Sequence, residues 1–113
     1  MNSRVKMILE HMLEDTKEAI LFAEDAGSFE IFSKDIKTRK AVTMSLLNIG
    51  ELASHLPVEF TSAHPELPWR DMVNMRNLAA HGYHVMNLDV IWDTVEVSLP
   101  ELQAFLQEQL TNE

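Results

Sequence analysis

Residues 5–23, VKMILEHMLEDTKEAILFA, decide the fold class. Val5, Ile8, Leu9, Met12, Thr16, Ala19, Ile20 and Ala23 recur at spacings of three and four, so one apolar stripe runs the length of a long helix. Gly27 is its natural stop. Beyond it, Ser33 can cap a second helix in which Ile36, Val42, Leu46, Ile49, Ala53 and Leu56 face inward until Pro57 ends the run. The basic residues Lys34, Lys37, Arg39 and Lys40 fall in its first turns.

Pro57, Pro65 and Pro68 bracket a segment with room for a short helical turn but not for a long helix. From Trp69 or Arg70 a third helix carries Met72, Val73, Met75, Leu78 and Ala79 towards His81, with Gly82 placed to end or loosen it. Asp89 can open a fourth, in which Leu88, Trp92, Val95, Leu99, Leu102 and Leu106 alternate spacings of four and three. Pro100 interrupts that pattern. Ser98 and Glu101 match a capping box across the proline, which predicts a kink or a restart there. These readings together predict an all-α, up-and-down four-helix bundle with a short extra helical turn before the third long helix and a proline kink in the last. No internal repeat or low-complexity tract is present.

The 113 residues suit one domain, spanning 1–113, with 46% hydrophobic and 24% charged residues. The absence of cysteine excludes disulfides and thiolate metal sites, and makes the cytoplasm the expected compartment. Acidic residues from Glu10 onward break the N-terminal apolar run too early for a signal peptide, and no apolar run is long enough to span a bilayer. The formal net charge of −9 opposes non-specific nucleic-acid binding. Its distribution is uneven. Four of the nine basic residues lie between 34 and 40, whereas the chain beyond Arg76 carries Asp89, Asp93, Glu96, Glu101, Glu108 and Glu113 with no Lys or Arg.

Residues 76–83, RNLAAHGY, carry the chemistry. They set a permanent cation, an amide, an imidazole and a phenol within about two helical turns. Arginine forks onto phosphate oxygens, histidine moves a proton near neutrality, and tyrosine offers a hydroxyl, a set suited to phosphodiester chemistry without a metal. On a regular helix Arg76 and Tyr83 share a face, while Arg76 and His81 do not meet directly. Either the helix unwinds near Gly82 or two copies supply the groups across a two-fold axis, which a homodimer with a composite cleft does more simply.

The run Arg76-Asn77 to His81-Gly82-Tyr83 resembles the signature of the HepT-like proteins of the HEPN superfamily. Ile49-Gly50-Glu51, Leu67-Pro68-Trp69 and Leu99-Pro100-Glu101-Leu102 resemble further landmarks of that family in the expected order. Gly82 departs from relatives with a polar or acidic residue before the tyrosine. The resemblance implies a small all-α endoribonuclease that works as a dimer, without metal or other cofactor, as a toxin beside a nucleotidyltransferase-like antitoxin. It implies that His81 withdraws the proton of a ribose 2′-hydroxyl, that Arg76 stabilises charge on the phosphorane, and that Asn77 and Tyr83 support the site. Tyr83 also matches the tyrosine that the partner modifies with AMP in that family.

Plainer readings stand beside these. A helix-terminal arginine near a histidine is often surface polarity, Tyr83 can be a packing residue, and Asn77 can bond locally. His81 and His84 are three apart, but no matching His-Glu pair supports a metal site. Glu51 is either a helix contact typical of the family or a partner to a nearby arginine. His11, His55 and His64 are scattered, and Trp69 and Trp92 suit the core. The alternative function is a non-catalytic helical adaptor that binds a nucleotidyltransferase-like partner or its nucleotide, offering the acidic face of Asp89, Asp93 and Glu96.

Overall fold

The computed structural model describes residues 1–82 and 87–112, and for 78–82 the backbone alone. Helix α1, Ser3–Ala26, begins where Asn2 Oδ1 accepts the Val5 N–H at 2.8 Å. It ends at Gly27, whose φ of 85° needs a residue without Cβ. The expected stripe is the buried face: Val5, Ile8, Leu9, Met12, Thr16, Ala19 and Ala23 are enclosed, and Ile20 is half-buried at its edge. The Thr16 hydroxyl donates to the Met12 carbonyl at 2.7 Å, which satisfies the polar atom within that face.

The next segment corrects the sequence reading. Phe29–Lys34 forms a separate six-residue helix, α2, capped by Ser28, whose Oγ accepts the Ile31 N–H at 3.2 Å. Ser33 is therefore no cap; it lies inside α2 and donates to the Glu30 carbonyl at 2.8 Å. Asp35 caps α3, Ile36–Ser54, accepting from both the hydroxyl and the N–H of Thr38, at 2.7 and 3.1 Å. Those bonds, the hydroxyl's above all, hold its carboxyl below the usual value. Ile36, expected inward, is only the first residue of α3 and stands 57% exposed, while Val42, Leu46, Ile49, Ala53 and Leu56 are buried as the pattern required.

Helix α4, Val58–Ala63, is the short turn expected between the prolines. An aromatic stack anchors the chain at its C-terminal end. The His64 ring lies 4.7 Å from Phe60 and 5.1 Å from Phe105, and Trp69 lies 5.9 Å from Phe105 while its Nε1 donates to the His64 carbonyl at 2.8 Å. This seats the start of α5, Trp69–Gly82. Helix α6, Leu88–Asp93, is capped by Asn87 and continues through a π-helical stretch, Thr94–Ser98, into α7, Leu99–Thr111.

The capping box across Pro100 does not form. Ser98 has helical dihedrals and makes no side-chain cap bond. Instead the Leu99 N–H reaches back five residues to the Thr94 carbonyl. A proline lacks an N–H and crowds the carbonyl four residues before it; the widened π turn relieves both, so the irregularity falls just ahead of Pro100 rather than as a new capped start. The apolar pattern survives it, with Val95, Leu99, Leu102 and Leu106 buried and Trp92 packed 5.2 Å from Phe32 of α2.

The result is an all-α bundle in which α3 lies against both α1 and α5, and α1 packs along α7. Among the described residues no strand occurs, and no helix is long and apolar enough to cross a membrane.

Candidate active site

Helices α3 and α5 come close together at Gly50. A Cβ built there would stand 2.6 Å from the Met72 carbonyl oxygen, 2.8 Å from Arg76 Cβ and 3.0 Å from the Arg76 nitrogen. Two backbones can meet at that distance only where one residue has no side chain. The crossing sets the next residue of α3, Glu51, beside Arg76 of α5.

Arg76 is held from two sides. Its Nη1 donates to Glu51 Oε2 at 3.2 Å, and its Nε and Nη2 both donate to Asn77 Oδ1, at 3.2 and 3.0 Å. Of the five N–H groups of a guanidinium these bonds engage three, which leaves one on each terminal nitrogen with no partner among the described residues. The second carboxylate oxygen of Glu51 lies 3.2 Å from Nε2 of His55, four residues on, where the chain caps the end of α3. Arg76 is 29% exposed and Glu51 50%, so water screens the pair and it contributes at most about 1 kcal/mol to folding. What it supplies is orientation.

Of the residues singled out in the sequence, Arg76 and Asn77 are thus in contact. His81 lies five residues further along α5, roughly 7.5 Å along its axis and about 140° around it on a regular helix. Its side chain lies outside the described residues. So do Tyr83 and His84, and with them the supporting and acceptor roles of Tyr83 and the pairing of His81 with His84. Among the described residues no group of three or more His, Asp or Glu stands close enough to hold a metal ion.

The basic start of α3 is near the site in register but not in distance. Lys37, Lys40 and Glu51 share one side of α3, yet the lysines are roughly 16–21 Å from Glu51 along the axis. Lys34 belongs to α2 and pairs with Glu30 at 3.4 Å. His64 is committed to the aromatic stack and His11 stands 4.0 Å from Glu14. Sequence reasoning passed over Gly50 as a contact and His55 as a member of this group. Both had signals: a glycine inside a helical run, and a histidine four residues after a glutamate.

A cavity of about 390 Å³ opens between α3, α5 and α7, walled by Leu46, Ile49, Met72, Met75, Leu99 and Leu102 among others. Arg76, Asn77 and Glu51 are not in its wall, so the polar group and this largely apolar hollow are separate features.

Comparison with known proteins bears on what the polar group does. The model of the family described as "Ribonuclease HepT-like" matches residues 9–109. A candidate RNase of Methanocaldococcus jannaschii is 40% identical over 96 residues, which is 85% of this chain and 78% of that protein. The probable ribonuclease HepT of Thermococcus cleftensis is 40% identical over 94 residues, 80% of this chain and 86% of that protein. A candidate RNase of Caldanaerobacter subterraneus subsp. tengcongensis is 36% identical over 105 residues, 93% of each. No solved structure gives a match.

Proposed function

Because this chain belongs to the HepT-like ribonuclease family, we propose that it is a metal-independent endoribonuclease whose substrate is a ribose-linked phosphodiester. The observation that carries this reading is Arg76, held by Asn77 and Glu51 with one N–H still available on each terminal nitrogen. Such a group stabilises charge that builds on the non-bridging oxygens of a phosphate under attack.

In the reaction His81 takes the proton from a ribose 2′-hydroxyl. The freed oxygen attacks the adjacent phosphorus, the bond from phosphorus to the 5′-oxygen breaks, and that oxygen leaves with a proton. The products are a 2′,3′-cyclic phosphate and a 5′-hydroxyl. Asn77 acts on the arginine through its carbonyl oxygen, which accepts from two guanidinium N–H groups, and its amide nitrogen is the end that can donate to the phosphate. Tyr83 positions the substrate.

A two-fold pairing of α5 helices would let His81 and Arg76 of different protomers serve one phosphate, so the active species in this account is a homodimer. The biological role that goes with it is a cytoplasmic toxin, held in check by a nucleotidyltransferase-like antitoxin that adds AMP to Tyr83. A nucleotide on that phenol would fill the cleft and set negative charge where the RNA phosphate must lie. The test is RNA cleavage in EDTA by the parent chain and by Arg76→Ala and His81→Ala. Loss of cutting in both, with the fold retained, supports the assignment; undiminished cutting removes it.

One observation favours a second reading, a helical adaptor that cleaves nothing. Asp89, Asp93 and Glu96 are all exposed on the α6 and π segment, a face suited to a basic partner. Reversing the three charges should then weaken partner binding, and an unchanged affinity removes this reading's motive.

A further inference from the structure

Resting on the ribonuclease reading, we propose that Gly50 and Glu51 of α3 form the seat of the working arginine, with Glu51 as a positioning residue that fixes the Arg76 guanidinium. Two independent observations converge on it. The missing side chain at residue 50 brings the backbone of α5 to the surface of α3 at Met72 and Arg76. The following carboxylate takes one N–H of the same arginine at 3.2 Å from a helix 25 residues away in sequence.

Local structure alone would leave Arg76 poorly fixed. Asn77 is its neighbour on α5, so a clasp between these two can rotate as a unit about the helix surface. Glu51 supplies the anchor from outside that unit, and the anchor is itself restrained. Its Oε1 lies 3.2 Å from Nε2 of His55, the residue that caps the C-terminus of α3, while Oε2 takes the arginine, so each carboxylate oxygen has a partner. The chain of contacts runs His55, Glu51, Arg76, Asn77, and it crosses from one helix to the other at the glycine.

A carboxylate beside a phosphate-binding arginine has an electrostatic cost. It weakens the pull of the guanidinium on any phosphate, bound or reacting. Orientation matters most in the transition state, where the N–H groups must meet oxygens whose charge is growing. A positioning role therefore separates binding from turnover: removing the carboxylate should leave RNA bound as well or better and cut more slowly. A merely structural ion pair would not divide the two constants in this way.

The experiment measures kcat and KM on a short single-stranded RNA, in EDTA, for the parent, Glu51→Ala, Glu51→Gln and Arg76→Ala, with thermal melts of each. The expected result is a kcat for Glu51→Ala lower by about a hundredfold, with KM equal to or below the parent's. Glu51→Gln, whose amide oxygen can still accept from Nη1, should keep kcat within about tenfold of the parent. Both variants should melt within about 5 °C of it. A kcat for Glu51→Ala within about twofold of the parent, alongside an inactive Arg76→Ala, overturns the seat and leaves the ribonuclease reading standing. A raised KM with unchanged kcat also overturns it, since Glu51 would then act on binding. A parent chain that cuts no RNA overturns the ribonuclease reading and this inference with it.

Discussion

Asn77 Oδ1 accepts two hydrogen bonds from the adjacent Arg76, from Nε at 3.2 Å and Nη2 at 3.0 Å, so the amide grips one edge of the guanidinium. An asparagine after an arginine on a helix would ordinarily point elsewhere, since neighbours on a helix do not face each other. Here both side chains bend to meet. Asn77→Ala frees that edge, and kcat on RNA should fall by roughly tenfold or more, with an unaltered melting midpoint because the pair is exposed. Asn77→Asp retains the grip but adds a negative charge; its loss should appear mainly as a higher KM that worsens at low salt. Equal activity in parent and Asn77→Ala would contradict the clasp.

Gly50→Ala tests the helix crossing. Alanine gains about 1 kcal/mol of helix propensity over glycine, but overpacking costs about 1–3 kcal/mol. The obstacles at 2.6 and 3.0 Å are backbone atoms of Met72 and Arg76, which cannot swing aside as a side-chain tip can. The cost should win. Chemical denaturation should show a less stable protein, and cleavage should drop with it because α5 must move; a stabilised variant would mean the helices can separate freely.

Asp15 gives a pH test of packing. Burial against α3 raises its carboxyl above 3.8, with Glu18 and Glu14 adding to the shift and a hydrogen bond from Asn48 and the charge of His11 opposing it. Folding thus favours the protonated form. The stability this contributes is full below 3.8 and is lost as the pH climbs through the raised folded value. Asp15→Asn stays neutral throughout, so at neutral pH it should unfold at higher urea than the parent, and the gap should close as the pH approaches 3.8 and below. A gap of constant size across that range would contradict the assignment.

Phe32 tests the short helix that the sequence pattern missed. It is fully buried, 5.2 Å from Trp92 and 6.5 Å from Phe29, and it ties α2 to α6. Phe32→Ala should cost about 3–5 kcal/mol, measured as a shift in denaturation midpoint by tryptophan fluorescence. A cost below about 1 kcal/mol would mean that α2 is not docked as described.

What the sequence disclosed and what it withheld divide along physical lines. Long helices announce themselves: the stripe on residues 5–23 is buried but for the half-buried Ile20, and that on 88–106 is buried at Val95, Leu99, Leu102 and Leu106, with Leu88 and Trp92 half-buried and Ile91 taking the core position between them. Helix α2 did not, because six residues hold fewer than two turns and cannot display a period. Ser33 and Asp35 are both good caps by residue type; Ser33 lies inside α2 and Asp35 takes the cap of α3. The Ser98–Glu101 pattern misled because a capping box presumes a break, whereas the chain absorbed Pro100 with a π turn. In the site, Arg76 and Asn77 were legible from their run, and Glu51 as an arginine's partner was one of two open readings. That the two meet at Gly50 depends on the approach of separate helices, which no local pattern encodes.

The most direct measurement is the chemistry of the cut ends. RNA incubated in EDTA with the parent chain should yield fragments ending in 2′,3′-cyclic phosphate and beginning with a 5′-hydroxyl, and none with Arg76→Ala. Fragments carrying a 3′-hydroxyl and a 5′-phosphate, or the same cyclic ends from the Arg76→Ala chain, would contradict an arginine-assisted attack by the ribose.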